Sequence, residues 1–150
     1  MNYSDALFRL TALCAGSEQC EQKMREKLQK WEIPAADTEK IINYLYDEKY
    51  LDENRFANAY ACDKMRYNQW GRQKIDQGLR LLRIGGEARR EALANLPEEE
   101  YRAVLRGVLA SKARSIKADS DYERNGKLIR FALGRGFEMD LIMEFVRLES

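Results

Sequence analysis

Apolar residues return every three or four positions along nearly the whole chain, with polar and charged residues between them, which is the pattern of helices that bury one face. Period-two alternation with β-branched content never persists for four residues, so no strand is predicted. The spacing predicts nine helices, at about 4–15, 18–30, 38–49, 53–68, 72–83, 87–96, 98–116, 122–134 and 138–148. Gly16 ends the first helix and Ser17 is read as the cap of the second. Pro34 enforces a break, after which Asp37 is read as the cap of the third helix. At the fourth, Asp52 is placed to accept backbone N–H bonds, and Leu51 and Phe56 stand at the two positions of a hydrophobic staple. The Gly85-Gly86 doublet reads as the stop of the fifth helix, Pro97 closes the sixth, and Gly134-Arg135-Gly136 ends the eighth.

The pattern also repeats. Residues 21–45 lie over residues 72–96 at a constant offset of 51, which puts Met24 on Ile75, Leu28 on Leu79, Ile33 on Ile84, Ile42 on Leu93 and Leu45 on Leu96. A looser third copy at 127–146 follows at an offset of 53, placing Leu128, Phe137, Phe145 and Val146 on Met24, Ile33, Ile41 and Ile42. Repetition at this period implies one supersecondary unit used three times, its apolar faces buried largely against neighbouring copies. The expected fold is therefore all-α: three tandem three-helix repeats, at 1–50, 51–97 and 98–150, in an elongated, curved helical array. Such a scaffold offers surfaces rather than an enclosed catalytic pocket.

Charge changes that picture more than composition does. The whole chain carries a net charge of +1, yet residues 1–63 sum to −4, residues 64–83 to +5 and residues 102–135 to +6. Two basic blocks in an otherwise acidic chain suggest a face for a polyanion, with the acidic parts left to repel nucleic acid or to meet a protein. The plainer reading is that these charges only solvate exposed helix faces. The cysteines Cys14, Cys20 and Cys62 form no CxxC pair and read as reduced packing residues of a cytosolic protein. Asp5 precedes the run ALFRLTALCAG and Arg9 interrupts it, so it does not read as a signal sequence, and the expected location is cytoplasmic. No stretch is apolar for long enough to span a membrane.

The absence of histidine excludes Ser-His and Cys-His catalytic pairs, HExxH helices and an imidazole base. The glycines make neither common nucleotide-binding pattern, so no cofactor is expected. Asp52-Glu53 and Glu98-Glu99-Glu100 stand at helix starts, where capping and the helix dipole explain them better than magnesium does. No catalytic residue and no metal ligand is assigned. The positive signal is KMRYNQWGRQK (64–74): Lys64, Arg66, Arg72 and Lys74 suit phosphate oxygens, Arg80 and Arg83 extend the block, and Tyr67 and Trp70 are candidates to stack on unpaired bases. For Trp70, packing next to a Gly71 cap and onto Ile75 is the favoured role. The second block, Lys112, Arg114, Lys117, Arg124, Lys127, Arg130 and Arg135, is a weaker pointer because a solvated helix face looks the same. Arg114, Lys117, Lys127, Arg130 and Arg135 are its further candidates, with Lys112 read as snorkelling at the edge of its helix. Such residues neutralise backbone charge without reading sequence, so any DNA binding is expected to be salt-sensitive and unspecific.

The segment IINYLYDEKYLDENRFANAYACDKMR, then GRQKIDQGLRLLRIGGEARREAL and KLIRFALGRGFEMDLIMEFV, resembles the RecX family of bacterial regulators of the RecA recombinase. The matches are the Tyr50-Leu51-Asp52 turn followed by Arg55-Phe56-Ala57 and Tyr60, the Gly71/Ile75/Leu79 helix start, and the Arg135-Gly136-Phe137 turn. The resemblance covers about residues 6–147 and implies three tandem three-helix repeats. It further implies a non-enzymatic modulator that lies in the groove of the RecA filament on DNA. There it would suppress filament extension, strand exchange and ATP hydrolysis. A monomer is expected, because a closed three-repeat array gives no need for a dimer. The alternatives are a free-standing helical DNA-binding protein, which would bind duplex tightly without a partner, and a protein-only helical-repeat adaptor.

Overall fold

The computed structural model describes residues 1–149, with side chains described through Arg147. Among the described residues there are nine helices and no strand: α1 Tyr3–Gly16, α2 Glu21–Lys30, α3 Ala35–Asp47, α4 Glu53–Asn68, α5 Arg72–Leu81, α6 Gly86–Ala94, α7 Glu98–Ser115, α8 Asp121–Gly134 and α9 Met139–Glu149. The chain is a helical repeat array of three-helix units. Each unit places the same turn after its second helix. Ile33, Ile84 and Phe137 donate their N–H groups to the carbonyls of Leu28, Leu79 and Ala132, and Glu32, Arg83 and Gly136 donate to Gln29, Arg80 and Leu133. This double pattern is the Schellman end of a helix, and it requires the first of the two donors along the chain to be left-handed. That residue is Glu32 (φ 58°), Arg83 (φ 61°) and Gly136 (φ 94°) in the three copies. The buried residue that follows, Ile33, Ile84 or Phe137, pins the turn to the core.

Four local expectations are corrected. Ser17 closes α1 rather than opening α2, because its N–H bonds the Leu13 carbonyl, and α2 starts at Glu21 with Cys20 in the cap position. Pro34 starts α3 rather than merely breaking the chain: it occupies the cap position, and Asp37 lies in the first turn, where its charge faces the helix dipole. The Gly85-Gly86 doublet does not stop α5, which ends at Leu81 through the left-handed Arg83, and Gly85 instead caps α6. Asp52 does cap α4, accepting the Arg55 N–H at 2.9 Å, but Leu51 packs in the first core and Phe56 against the second, so they make no staple.

The burial of apolar faces is also less even than repetition implies. Unit one keeps a core of its own, built from Ala6, Leu10, Met24, Leu28, Ile41, Ile42, Leu45 and their neighbours, and closed by Leu51. Units two and three share a single larger core that runs from Ala57 and Met65 through Ile75, Leu79 and Tyr101 to Phe137, Ile142 and Val146. Cys20 is the residue of unit one that joins it. Burial raises the Cys20 and Cys14 thiols above their ordinary pKa, so both stay protonated at neutral pH. An ion pair between Arg55 and Glu18 reinforces the first junction, with Arg55 also donating to the Lys49 carbonyl at 3.0 Å.

Candidate partner and nucleic-acid interface

The middle basic block divides into side chains held inward and side chains left free. Arg72 opens α5 and is held inward. Its Nε donates to the Leu93 carbonyl at 3.1 Å, and its terminal nitrogens donate to Glu138 and Glu98, each at 2.9 Å. Its guanidinium carbon lies 4.0 Å from the centroid of the Tyr101 ring. The Tyr101 hydroxyl accepts the Arg72 backbone N–H at 2.9 Å and donates to Glu138. Burial pushes the Tyr101 hydroxyl well above its usual pKa, and the Glu138 bond adds to the shift. Burial opposes the Arg72 charge, yet the bonds to Glu138 and Glu98 outweigh it and hold its pKa above the usual value. The Arg72 hydrogen bond in turn holds the Glu98 carboxyl below the usual range.

Backbone contacts complete this joint. Gly71 and Gln73 donate N–H groups to the carbonyls of Arg135 and Gly136 at 2.7 and 3.0 Å. With Arg72 bonded to Tyr101, three of the four N–H groups that the start of α5 leaves open are taken up by unit three. Arg66, near the end of α4, makes a bidentate pair with Glu100 at 2.6 and 2.9 Å. That hydrogen bond lowers the Glu100 carboxyl pKa. The carboxylates at the start of α7 thus receive arginines from unit two.

Other candidates lie over Trp70 or stand exposed. The ammonium groups of Lys64 and Lys74 each stand 4.9 Å from the ring centroid of Trp70, and neither has a carboxylate partner among the described residues. Trp70 packs against the second core, to which Ile75 belongs, and the two lysines hold their charge over it. Tyr67 is 77% exposed beside them in sequence, open to any partner that reaches it. Arg80 is exposed and bonds Asp76 one turn earlier, while exposed Arg83 serves the left-handed turn with its backbone.

The second block gathers in a groove between α7 and α8, extended by the end of α4. Arg66 and Arg135 lie at one end, Lys112 in the middle, and Lys117, Lys127 and Arg130 at the other. Arg135 donates to the Asn68 carbonyl at 2.9 Å, and Lys127 bonds the Lys117 carbonyl and Glu123. Arg114 is exposed on α7 but does not line the groove. Sequence reasoning undervalued Lys112: its ammonium stands 4.7 Å from the Phe131 ring, on the groove floor. The available signal was the row Ala103, Gly107, Ser111, Ser115, small residues at four-residue spacing beside it.

Comparison with known proteins supplies the context. Two family models match, "RecX, second three-helix domain" over residues 52–93 and "RecX, third three-helix domain" over residues 98–146. Among curated relatives, "Regulatory protein RecX" of Clostridium botulinum is 26% identical over 129 residues, covering 85% of this chain and 60% of that protein. That of Clostridium acetobutylicum is 29% identical over 150 residues, covering 97% and 69%. That of Vibrio campbellii is 29% identical over 122 residues, covering 81% and 77%. The chain therefore spans about half to three quarters of the length of these relatives, with 45% the share for that of Oceanobacillus iheyensis. In fold it superposes on a crystal structure of regulatory protein RecX with a TM-score of 0.85 at 19% identity, over 97% of this chain and 72% of that one. RecX from Lactobacillus salivarius gives the same score and identity over 98% and 95%. No helix among the described residues is long and apolar enough to cross a membrane. With the family's second and third three-helix domains matched over most of its length, this chain belongs to the RecX family.

Proposed function

We propose that this chain is a non-enzymatic regulator that docks on RecA filaments assembled on DNA and restrains filament extension, strand exchange and ATP hydrolysis. In that role it modulates DNA repair and the SOS response as a cytoplasmic monomer. The observation that carries the reading is the pair Lys64 and Lys74, both aimed at the Trp70 ring and without a carboxylate partner among the described residues, on a block built on a shared core. Charges held on a rigid body lose little freedom on docking, so more of their attraction to an anionic filament appears as affinity. Arg66 and Arg72, being engaged by carboxylates, hold that block together, while Lys64, Lys74 and exposed Tyr67 meet the partner.

Co-sedimentation tests this reading. The 150-residue chain is spun with RecA filaments formed on single-stranded DNA, with RecA alone and with DNA alone. Pelleting with the filament well beyond either component alone is expected. Equal binding to naked duplex with no gain from RecA would support the free-standing DNA-binding alternative, and absence of binding to all three would leave only the adaptor.

A further inference from the structure

Among the described residues no Asp or Glu lines the groove between α7 and α8, and Glu100 and Glu123 only meet Arg66 and Lys127 at its two ends. Lys112, Lys117 and Arg130 have no carboxylate partner among the described residues, and the Phe131 ring on the floor carries Lys112 at 4.7 Å and Arg135 at 5.3 Å. In a chain with nearly equal numbers of acidic and basic residues, a trough whose described lining is basic and neutral concentrates positive potential along its middle. The floor is shallow and open. Gly107 faces it, and a side chain added there would meet nothing within 4 Å. A mid-helix glycine costs about 1 kcal/mol relative to alanine, and no neighbour in the fold requires this one.

We infer that this groove is a binding site for single-stranded nucleic acid, the backbone phosphates pairing with Lys112, Lys117 and Arg130 while sugars and bases lie over Phe131 and Gly107. The half-buried Phe131 ring on the floor decides between one strand and two. The partly buried aromatic floor suits bases that are free to unstack, which paired bases are not. Phosphates along a strand match cations placed along the whole length of a trough, whereas an acidic peptide needs apolar anchor pockets that this shallow floor does not offer. The inference rests on the filament reading above, since a filament on DNA is where such a strand would be met.

The test is fluorescence anisotropy of the full chain with a labelled oligothymidylate and with a duplex of equal length, at several salt concentrations. Lys112→Glu/Arg130→Glu is expected to weaken single-strand binding at least tenfold, and to lower the slope of log affinity against log salt by roughly 1–2. Gly107→Leu fills the floor at an open helical position, so it is expected to keep or raise the melting temperature while weakening single-strand binding severalfold. No binding of the oligonucleotide by the wild-type chain, unchanged binding by both variants, tighter binding to duplex, or displacement of the oligonucleotide by polyglutamate at lower concentrations would each overturn the assignment. The same variants in filament co-sedimentation separate the two claims. A wild-type chain that pellets with filaments while the groove variants bind single strands normally sinks only the groove. A wild-type chain that binds the oligonucleotide through the groove but ignores filaments sinks only the filament reading.

Discussion

Gly71 and Gly136 meet backbone to backbone, closely enough that neither position has room for a side chain. A Cβ on Gly71 would overlap the Gly136 and Phe137 backbone, and one on Gly136 would sit 2.5 Å from the Lys74 Cβ. Gly136 also occupies the left-handed region, φ 94°, which disfavours any other residue there. The two glycines let the start of α5 dock on the α8–α9 turn and so lock unit two to unit three. Each single alanine substitution is expected to lower unfolding free energy by roughly 2–3 kcal/mol, and the double variant by less than the sum, because one separation of the backbones relieves both overlaps. Denaturant titration of the three variants checks this.

Arg72 is the polar counterpart of that contact. Replacing it with alanine removes the guanidinium from Glu138, Glu98 and the Leu93 carbonyl, leaving Glu138 only the Tyr101 hydroxyl and Glu98 only Arg102, and uncovers the Tyr101 ring. A loss of roughly 2–4 kcal/mol is expected. Lysine should recover little of it, since an ammonium reproduces neither the fork of bonds nor the stacking. Thermal melts of both variants test the claim, and near-complete rescue by lysine would count against it.

The repeated turn predicts a gain instead of a loss. Glu32 and Arg83 carry the left-handed backbone that the third copy gives to glycine. Glu32→Gly and Arg83→Gly are each expected to stabilise the chain by roughly 0.5–1 kcal/mol, the relief of strain exceeding the added freedom of the unfolded chain. Alanine at the same positions should bring no such gain. Equilibrium unfolding of the four variants decides.

Acid should loosen the junction between units two and three. Glu98 and Glu100 are depressed below the usual carboxylate range by hydrogen bonds from Arg72 and Arg66. A carboxyl whose folded pKa is depressed contributes stability that is fully present above its unfolded value of about 4.3, and loses it as pH falls through the folded value. Stability is therefore expected to be insensitive to these groups near pH 7 and to decline from about pH 5 downward. Glu98→Gln/Glu100→Gln should lower stability at pH 7 and flatten the acid limb in a pH series of denaturation midpoints.

The helices were legible in the sequence wherever burial alone decided the matter. The stripes Ile41, Ile42, Leu45 and Leu141, Ile142, Phe145, Val146 are buried as their spacing requires, and the 51- and 53-residue offsets correspond to real Schellman turns. Helix ends were harder to read, because glycine and proline mark a boundary without saying which side of it they serve: Gly85 opens a helix and Arg83 closes one. The polar joint was not legible at all. Arg72 and Glu138 are 66 positions apart in sequence, and only the fold brings them to 2.9 Å. A basic block read along the chain cannot separate Arg66 and Arg72, which face carboxylates, from Lys64 and Lys74, which do not.

Inhibition of RecA-dependent ATP hydrolysis on single-stranded DNA, compared between the wild-type chain and a folded Lys64→Glu/Lys74→Glu variant, bears most directly on the account. The wild-type chain should slow hydrolysis, and the variant should need at least tenfold more protein for the same effect. Full inhibition by the variant at wild-type concentrations would contradict it.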